Sequence, residues 1–543
     1  MISQTADTEY FRLANHILEN GVIKENRTGV NALTVAGGMF QYDMAGKFPL
    51  LTSRRLPFKS TKTELEFFLK GLTDKRWLQE RGCGYWDEWC SPKQAPDFKS
   101  NEERLLWQTE NPDLGPLGYS HHWRNWGAKC KPIPFIWTGL DRSINVIPSD
   151  EPIVGKVVAG KYGEYVVISY DGKDQYHNKR FTVKFPKNGF VKNNLNKQQV
   201  EAGAVWNPYA PEICGVACVG EYEKTDAPSD MVEKLMNAWR QMVHRCYNTE
   251  HASYINYGAK NVYVANPWLI FANYLRDVQT LSGWASKKEN WDEYQLDKDI
   301  NGGACYSKEN CLWVTREENC NQMSRSYYFD AISPNGQVFE NNIGVNRFCR
   351  KHALDEKSVE ASIQNETKTH GGWKFIVKER VKKEEPVGID QVRNIVNTLK
   401  TNPNDRRMIC SGWNPEILGD MALPPCHVSW QVTVINGKLN LMWYQRSVDF
   451  CCGLPANIAS YALLLHLLAK EAGLKEGVLT GFLADLHIYE FHLTNLKEQL
   501  TRTAPAGPTI DTVGFTSVLD WSADQTVLKD YAPLDKLSFG IAV

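Results

Sequence analysis

The chain has 543 residues, more than one hydrophobic core usually supports, so two or three domains are expected. A formal net charge of -1 excludes a global electrostatic field that would draw the molecule to nucleic acid or to a membrane surface. The longest apolar stretch, residues 458–469, is interrupted by Ser460 and His466 and is too short to span a bilayer. Fourteen scattered cysteines, with no secretory signal at the amino terminus, predict reduced thiols and a cytoplasmic protein.

In chain order, apolar spacing predicts a helix over residues 9–19, a loop over 26–29, a strand over 33–42 and a helix over 61–72. Between residues 130 and about 385 the composition shifts to Lys, Asn and Tyr, with short strand-like runs such as 165–170. A solvated linker is predicted at 382–386, and a helical pattern resumes at 388. We interpret this as one catalytic domain (1–130 and 387–543) interrupted at a loop, because loop tips tolerate whole-domain insertions.

A β-hairpin is predicted close to the carboxyl side of this interruption. Alternating residues over 428–434 predict the outgoing strand, Asn436-Gly437 is a strong two-residue turn signal, and residues 439–444 return. Cys426 lies just ahead of the outgoing strand, after two prolines. The hairpin would therefore present its thiol at one end of a sheet.

If the two strands pair without interruption, Cys426 faces Ser447 and His427 faces Arg446. A guanidinium beside a thiol lowers the pKa of the thiol and favours the thiolate, which is the nucleophilic form. The pattern therefore favours a catalytic Cys426 over a buried structural cysteine.

Six segments of the flanks, in this order, resemble the thymidylate synthase family. They are Pro403-Asn-Asp-Arg-Arg407, Ser411-Gly-Trp-Asn-Pro415, Met421-Ala-Leu-Pro-Pro-Cys-His427, Tyr444-Gln-Arg-Ser447, Gly453-Leu-Pro-Ala-Asn-Ile-Ala-Ser-Tyr461 and Asp485-Leu-His-Ile-Tyr489. The resemblance implies an α/β (α+β) fold, in which helices pack on a layered β-sheet, and an obligate homodimer.

The family moves a one-carbon unit from 5,10-methylenetetrahydrofolate to C5 of dUMP after a thiolate adds to C6. The resemblance makes Cys426 that nucleophile, with Glu64 anchoring the relay that removes the C5 proton and Tyr119 assisting. It completes the catalytic set with Asn457 and Arg446. An ordinary solvated helix carboxylate is the alternative for Glu64.

Phosphate recognition calls for several guanidinium forks. By resemblance one subunit supplies Arg27, Arg446 and Ser447, and the partner supplies Arg406 and Arg407 across the dimer interface. The remaining substrate contacts implied by the family are Gln445, Asp449, Asn457, His487 and Tyr489.

Asn457 indicates which pyrimidine base the substrate carries. A carboxamide offers both an acceptor and a donor, so it matches N3–H and O4 of uracil, whereas cytosine-specific relatives carry a carboxylate there. The expected substrate is dUMP and not dCMP.

The resemblance implies folate contacts at Trp86, Asp449, Gly453 and the carboxyl-terminal Val543. Ala456 departs from the usual Leu-Pro-Phe-Asn pattern and removes a ring against the folate, and Ala484 replaces a customary glycine. Two outcomes stay open: hydride transfer to the methylene intermediate gives dTMP, whereas attack by water gives 5-hydroxymethyl-dUMP.

Within residues 131–330, four segments resemble an HNH homing-endonuclease module: Trp239-Arg-Gln-Met-Val-His-Arg-Cys-Tyr-Asn248, Leu296-Asp-Lys-Asp-Ile300, Tyr306-Ser-Lys-Glu-Asn-Cys-Leu-Trp-Val314 and Glu318-Asn-Cys-Asn321. The resemblance implies double-stranded DNA as a partner and Mg²⁺ as a cofactor. The candidate metal contacts are Asp297, Asp299, Asn310 and Asn319. Where such sites usually read Asp-His, this chain has Asp297-Lys298, and a protonated lysine is a poor general base. DNA cleavage is therefore not favoured, and ordinary solvated polar side chains are the alternative for the four candidate metal contacts.

Residues 331–386 resemble the helix-turn-helix repeat attached to homing nucleases, with helices predicted at 346–352 and 355–363. The local charge is nearly balanced, whereas a DNA footprint should be basic, so a packed helical pair with no DNA affinity is the alternative. An insertion of this type in a nucleotide-metabolism gene suggests a phage.

Overall fold

The computed structural model describes residues 5–541 apart from several gaps. Those gaps are residues 26–28, 93–94, 118, 129, 224, 299–303, 317–318, 320–326, 344–347, 350–351, 353, 356–357, 360–361, 363–370 and 381–387. Arg27, Asp299, Val543 and the predicted linker 382–386 therefore lie outside the described residues. So do most residues of the helices predicted at 346–352 and 355–363.

The helices in chain order are α1 Ala6–Asn20, α2 Phe58–Leu69, α3 Arg76–Gln79, α4 Asn101–Glu110, α5 His121–Asn125, α6 Lys197–Glu201, α7 Ser229–Tyr247, α8 Phe271–Val278, α9 Trp284–Glu289, α10 Gln391–Thr401, α11 Gly453–Ala472 and α12 Leu493–Leu500. The strands are β1 Val22–Lys24, β2 Ala32–Asp43, β3 Val157–Gly160, β4 Gly163–Lys173, β5 Lys179–Lys184, β6 Val191–Asn196, β7 Tyr263–Val264, β8 Tyr294–Asp297, β9 Cys305–Tyr306, β10 Leu312–Thr315, β11 Tyr327–Ile332, β12 Val338–Ile343, β13 Lys374–Arg380, β14 Ile409–Ser411, β15 His427–Ile435, β16 Lys438–Gln445, β17 Val448–Asp449, β18 Lys475–Tyr489, β19 Thr509–Thr512 and β20 Thr526–Lys529.

The chain divides into two compact units. Unit 1 combines residues 1–133 with 386–543, and unit 2 comprises residues 134–385. The assignment of 131–330 and 331–386 to particular modules stays a prediction.

Unit 1 is built on a seven-stranded sheet with the order β1-β2-β18-β16-β15-β14, in which β17 also pairs with β18. The pairs β16–β18 and β17–β18 are parallel and the other pairs are antiparallel. Helix α11 is apolar on almost every side and is buried along most of its length, as expected for a helix inside a core. It ends at Gly473, whose φ of 65° is the left-handed conformation that glycine supplies at helix ends.

The predicted hairpin forms, but the predicted pairing of its strands is wrong at the end away from the turn. Ile435 pairs with Lys438 across the Asn436-Gly437 turn, and both turn residues have positive φ. An irregularity between His427 and Ser429 then places His427 opposite Gln445, and the Arg446 N–H donates to the Cys426 carbonyl at 2.8 Å. The predicted His427–Arg446 and Cys426–Ser447 pairings fail because a bulge inserts one extra residue into β15.

The helix predicted over 61–72 begins and ends three residues earlier, as α2 Phe58–Leu69. Lys70 closes the helix and Gly71 has a φ of 67°, which takes the chain out of the helical conformation before Leu72. The shift matters because Glu64 then lies in the middle of α2, where its backbone is fixed.

Unit 2 contains separate small sheets around aromatic cores. The antiparallel sheet β3-β4-β5-β6 buries Tyr165, Phe181 and Phe185, the helices α7 and α8 pack around Trp239 and Trp268, and the sheet β12-β11-β13 buries Phe329 and Phe375; each group forms its own core cluster. This architecture is mixed α/β, as expected.

Two properties concern both units. Within the described part of the chain, no helix combines the length and apolarity needed to traverse a membrane. The described cysteines form no disulfide with one another.

Candidate active site

Cys426 is held by backbone hydrogen bonds at the start of β15. Its N–H donates to the Tyr119 hydroxyl at 2.5 Å, and the His427 N–H donates to the same oxygen at 3.1 Å. Burial raises the pKa of Tyr119 well above its usual value, so the hydroxyl keeps its proton. The bonds fix the backbone on both sides of the half-buried Cys426 side chain.

Arg446 holds the loop that leads to Cys426 through two hydrogen bonds. Its Nε donates to the Pro425 carbonyl and its Nη2 donates to the Pro424 carbonyl, both at 2.9 Å. The guanidinium carbon lies 5.4 Å from the centroid of the Trp413 ring. A fixed positive charge is thereby placed beside the residues that precede Cys426.

Glu64 and Trp86 form the candidate proton relay. The Trp86 indole Nε1 donates to Glu64 Oε1 at 2.7 Å, and Glu64 Oε2 has no hydrogen-bond partner in the described part of the chain. Burial raises the pKa of Glu64 from 4.5 to about 7, although the Trp86 hydrogen bond opposes this shift. A carboxyl that titrates near neutral pH can both accept and return a proton.

Gln445 and Asn457 belong to one buried polar network. The Trp443 indole donates to Gln445 Oε1 at 3.3 Å, and Gln445 Nε2 donates to Asn457 Oδ1 at 3.1 Å. The Tyr461 hydroxyl lies 3.2 Å from His427 Nδ1. Burial lowers the pKa of His427 to about 4, opposed by its hydrogen bond with Asn457, so the imidazole is neutral. The network holds the Asn457 carboxamide in one orientation.

Sequence reasoning gave no role to His427 or Tyr461. Tyr461 follows Asn457 by four residues in α11, and residues at this spacing share one face of a helix. That spacing is the signal that would have placed it beside the site.

Asp449 lies on β17 beside the first turn of α11. Its Oδ1 accepts from the Cys451 N–H at 3.1 Å and from the Cys452 N–H at 3.0 Å, and burial raises its pKa. Gly453 lies between Asn457 and Asp449. A Cβ added at Gly453 would lie 3.7 Å from Asn457 Oδ1 and 3.8 Å from the Asp449 Cβ.

His487 and Tyr489 lie on one face of β18, with ring centroids 5.1 Å apart. Strand pairing places His487 opposite Asp449, and His487 Nδ1 lies 2.8 Å from the Asp485 carbonyl. His492, which sequence reasoning missed, lies with its Nδ1 3.8 Å from Asp449 Oδ1 and its Nε2 2.8 Å from the Gly540 carbonyl. It connects the carboxyl-terminal segment to the site.

The predicted phosphate ligands are only partly brought together. Ser447 is half-buried between β16 and β17, and its carbonyl accepts from Gln445 Nε2 at 3.2 Å. Arg406 and Arg407 are exposed just before the edge strand β14, and Arg407 lies 2.6 Å from Asp405. Their contribution to a partner's site stays a prediction.

Two of the candidate metal residues of unit 2, Asn310 and Asn319, make hydrogen bonds within that unit. Asn310 Nδ2 donates to the Cys305 carbonyl at 3.3 Å and Asn319 Nδ2 donates to Gln295 at 2.7 Å, while Asp297 is buried. Among the residues that the structure describes, no three His, Cys, Asp or Glu side chains group closely enough to hold a metal ion. The Mg²⁺ site stays a prediction.

Comparison with known proteins matches the family model "Thymidylate synthase" to residues 8–169 and 268–543. The chain is 47% identical over 156 residues to "Bifunctional dihydrofolate reductase-thymidylate synthase" of Paramecium tetraurelia, covering 29% of this chain and 34% of that protein. It is 52% identical over 120 residues to "Thymidylate synthase" of Listeria monocytogenes, covering 22% of this chain and 38% of that protein. These alignments thus span little more than a third of each relative. Because the family model covers most of its length, the chain belongs to the thymidylate synthase family.

Proposed function

We propose that this protein methylates dUMP at C5, with 5,10-methylenetetrahydrofolate as the second substrate, and releases dTMP and dihydrofolate. The observation that carries the proposal is the half-buried Cys426, whose backbone is bonded to Tyr119 and Arg446 at the open end of a hairpin. Family membership and the Glu64–Trp86 pair support the same reaction.

The thiolate of Cys426 would add to C6 of the uracil ring. Its electron pair forms the S–C6 bond, and the electrons of the C5=C6 bond move toward C5 and O4, where charge develops. A donor near O4 stabilises that charge, and the Asn457 amide is the group held in place for it by Gln445. An oriented carboxamide also favours uracil over cytosine.

Glu64 would then accept the proton that leaves C5, through a short relay. Its pKa of about 7 means that both the charged and the neutral carboxyl are populated at neutral pH. Trp86 fixes one carboxylate oxygen and leaves the other available. Glu64 is therefore suited to accept a proton through a short relay.

The folate side of the site fits its expected ligand. Asp449 uses Oδ1 for two backbone N–H groups, and Oδ2 has no hydrogen-bond partner among the described residues, so it can accept from a pterin N–H. When bound, the folate supplies the one-carbon unit and the hydride. Asp449 and Trp86 would hold it, and Gly453 leaves room beside Asp449.

We also propose a homodimer formed through the sheet face opposite α11. Met39, Phe482 and Tyr444 lie side by side on β2, β18 and β16, and their exposed fractions are 43%, 46% and 42%. Adjacent exposed apolar side chains of this kind mark an interaction surface. Such a dimer would let Arg406 and Arg407 serve the partner's site.

The test is turnover with dUMP and 5,10-methylenetetrahydrofolate, followed by the absorbance of dihydrofolate. Cys426→Ala is expected to abolish turnover, and the matched control Cys214→Ser, which alters a half-buried thiol in unit 2, should leave the rate unchanged. An active Cys426→Ala variant would overturn the assignment of the nucleophile.

A second candidate function is hydroxymethylation of dUMP, which ends in attack by water. It is favoured by Ala456, a half-buried small side chain in the first turn of α11, next to Asn457. Formation of 5-hydroxymethyl-dUMP without dihydrofolate would establish this alternative.

A further inference from the structure

Unit 2 contains a cationic cluster on two tyrosine rings. Arg245 belongs to the last turn of α7, and its guanidinium carbon lies 4.7 Å from the Tyr257 ring centroid and 4.8 Å from the Tyr306 ring centroid. Lys298 follows β8, and its Nζ lies 5.9 Å and 5.6 Å from the same two centroids. Two cations thus share the same pair of aromatic faces.

The Arg245 guanidinium contacts two aromatic rings but has no hydrogen-bond acceptor among the described residues. Its side chain makes no hydrogen bond or ion pair with the described residues, and its Nε is buried without a partner. A guanidinium carries five N–H donors in a planar fork, and a buried donor without an acceptor is unfavourable. Arg245 and Tyr257 are only half-buried, so an acceptor can approach from their side.

The cluster also brings two positive charges close together. Lys298 is 5% exposed and Asp297 is 4% exposed, and the Cys311 thiol senses the charges of both. Arg245 and Lys298 place two positive charges against one pair of rings, and like charges in a largely buried site repel one another. Burial also raises the pKa of Tyr306, so its hydroxyl stays a donor and does not supply negative charge.

We propose that Arg245 and Lys298, with Tyr257 and Tyr306, form a binding site for a phosphate oxyanion in unit 2. The planar fork of arginine pairs with two phosphate oxygens at once, and lysine adds a second positive charge. The two rings hold the fork in a fixed plane. Lys298 then contributes charge to binding and needs no role as a base.

A phosphate can come from a nucleic-acid backbone or from a small phosphate compound, and two probes separate these sources. The first is inorganic phosphate, added to the full-length protein against potassium chloride of equal ionic strength, with the thermal unfolding midpoint as the readout. The second is a short fluorescein-labelled DNA duplex, followed by fluorescence anisotropy. Inorganic phosphate should raise the midpoint of the unaltered protein because it binds the folded state.

Arg245→Gln should remove the phosphate-induced shift and weaken any duplex binding about tenfold. The matched control is Arg240→Gln, which removes an exposed arginine from the same helix and should behave as the unaltered protein. Arg245→Lys keeps the charge without the fork, and Lys298→Gln tests the second cation. Circular dichroism and tryptophan fluorescence, which reports on the buried Trp239, check that each variant is folded.

A response to both probes that depends on Arg245 assigns the site to a nucleic-acid backbone, and a response to phosphate alone assigns it to a small phosphate compound. The proposal is overturned if neither probe acts on the unaltered protein beyond the chloride control. It is also overturned if folded Arg245→Gln and Arg240→Gln bind both probes equally well.

Discussion

At the scale of single residues, Glu64 shows a conflict between stability and chemistry. A carboxyl whose pKa rises from 4.5 to about 7 on folding binds its proton more tightly in the folded state. Folding stability therefore falls as the pH rises from about 4.5 to 7, by on the order of 3 kcal/mol in total. The protein retains this cost at the position where the proposed reaction requires a proton to move.

We predict that Glu64→Gln stabilises unit 1 above pH 7 and abolishes turnover. The neutral amide removes the cost of a buried charge, but it cannot accept a proton. The measurement is the urea midpoint at pH 5 and at pH 8, together with dUMP turnover. The gain in stability should appear at pH 8 and be small at pH 5.

Glu66 provides the control on the same helix. It is buried, but it accepts from the Ala523 N–H at 2.9 Å and lies 3.4 Å from Lys70. Glu66→Gln should therefore not gain stability at pH 8 and should keep turnover. Equal pH dependence of the two variants would contradict the special environment of Glu64.

Ala456 bears on the fate of the one-carbon unit. We predict that Ala456→Phe lowers the KM for 5,10-methylenetetrahydrofolate by about threefold to tenfold, because a ring in the first turn of α11 buries additional apolar surface against the ligand. Steady-state kinetics with product separation measures the KM and any 5-hydroxymethyl-dUMP. An unchanged KM would mean that this turn does not contact the folate.

At the scale of elements, the β15–β16 hairpin shows how far sequence reasoning reaches. The Asn436-Gly437 turn could be predicted because only residues that accept positive φ fit its two central positions. The bulge near Val428 could not be predicted, since Pro425, Cys426 and Val428 carry no local signal for an extra residue. The bulge arises from tertiary contacts: Tyr119 bonds to the N–H groups of residues 426 and 427, which takes these donors out of the ladder.

The junction between the two segments of unit 1 is closed by a short β-bridge. The N–H and carbonyl groups of Trp126 and Ile389 exchange two hydrogen bonds, of 2.9 Å and 2.8 Å, and Arg124 Nε lies 2.9 Å from Asp390. Residues before and after the insertion therefore meet within unit 1 itself. Closing a gap between adjacent chain ends costs little entropy.

From this bridge we predict that replacing residues 130–386 by a short Gly-Ser linker leaves a folded and active unit 1. Turnover should stay within about threefold of the full-length rate, since the bridge sets the geometry of the junction. The checks are dUMP turnover and the urea midpoint. A soluble but inactive deletion variant would show that unit 2 is needed for catalysis.

At the scale of the whole molecule, the division into two compact units falls close to the changes in composition near residues 130 and 385 of the sequence. The sheet order could not be predicted, because strands β2, β16 and β18 are far apart in sequence and their pairing depends on tertiary packing. Candidate site residues could be named where they match a family motif, and their catalytic roles stay predictions. His427 and His492 were missed since their importance lies in burial and in contacts with Asn457 and Gly540.

The proposed dimer leads to a complementation experiment. If Arg406 and Arg407 act in the partner's site, a heterodimer can be formed from one Cys426→Ala subunit and one Arg406→Ala/Arg407→Ala subunit. Both lesions then fall in one site, and the other site is intact. Random assortment gives about half heterodimers, so about a quarter of all sites should be active.

The measurement is dUMP turnover after the two inactive variants are unfolded together and refolded. The control mixes Cys426→Ala with Glu64→Gln: both residues belong to the site of their own subunit, so every site in that heterodimer keeps one lesion and turnover should not return. Recovery in the first mixture only would demonstrate a shared site. Absence of recovery in both mixtures, with dimers confirmed by light scattering, would place Arg406 and Arg407 outside the partner's site, and the exposed position of both side chains would then need another explanation.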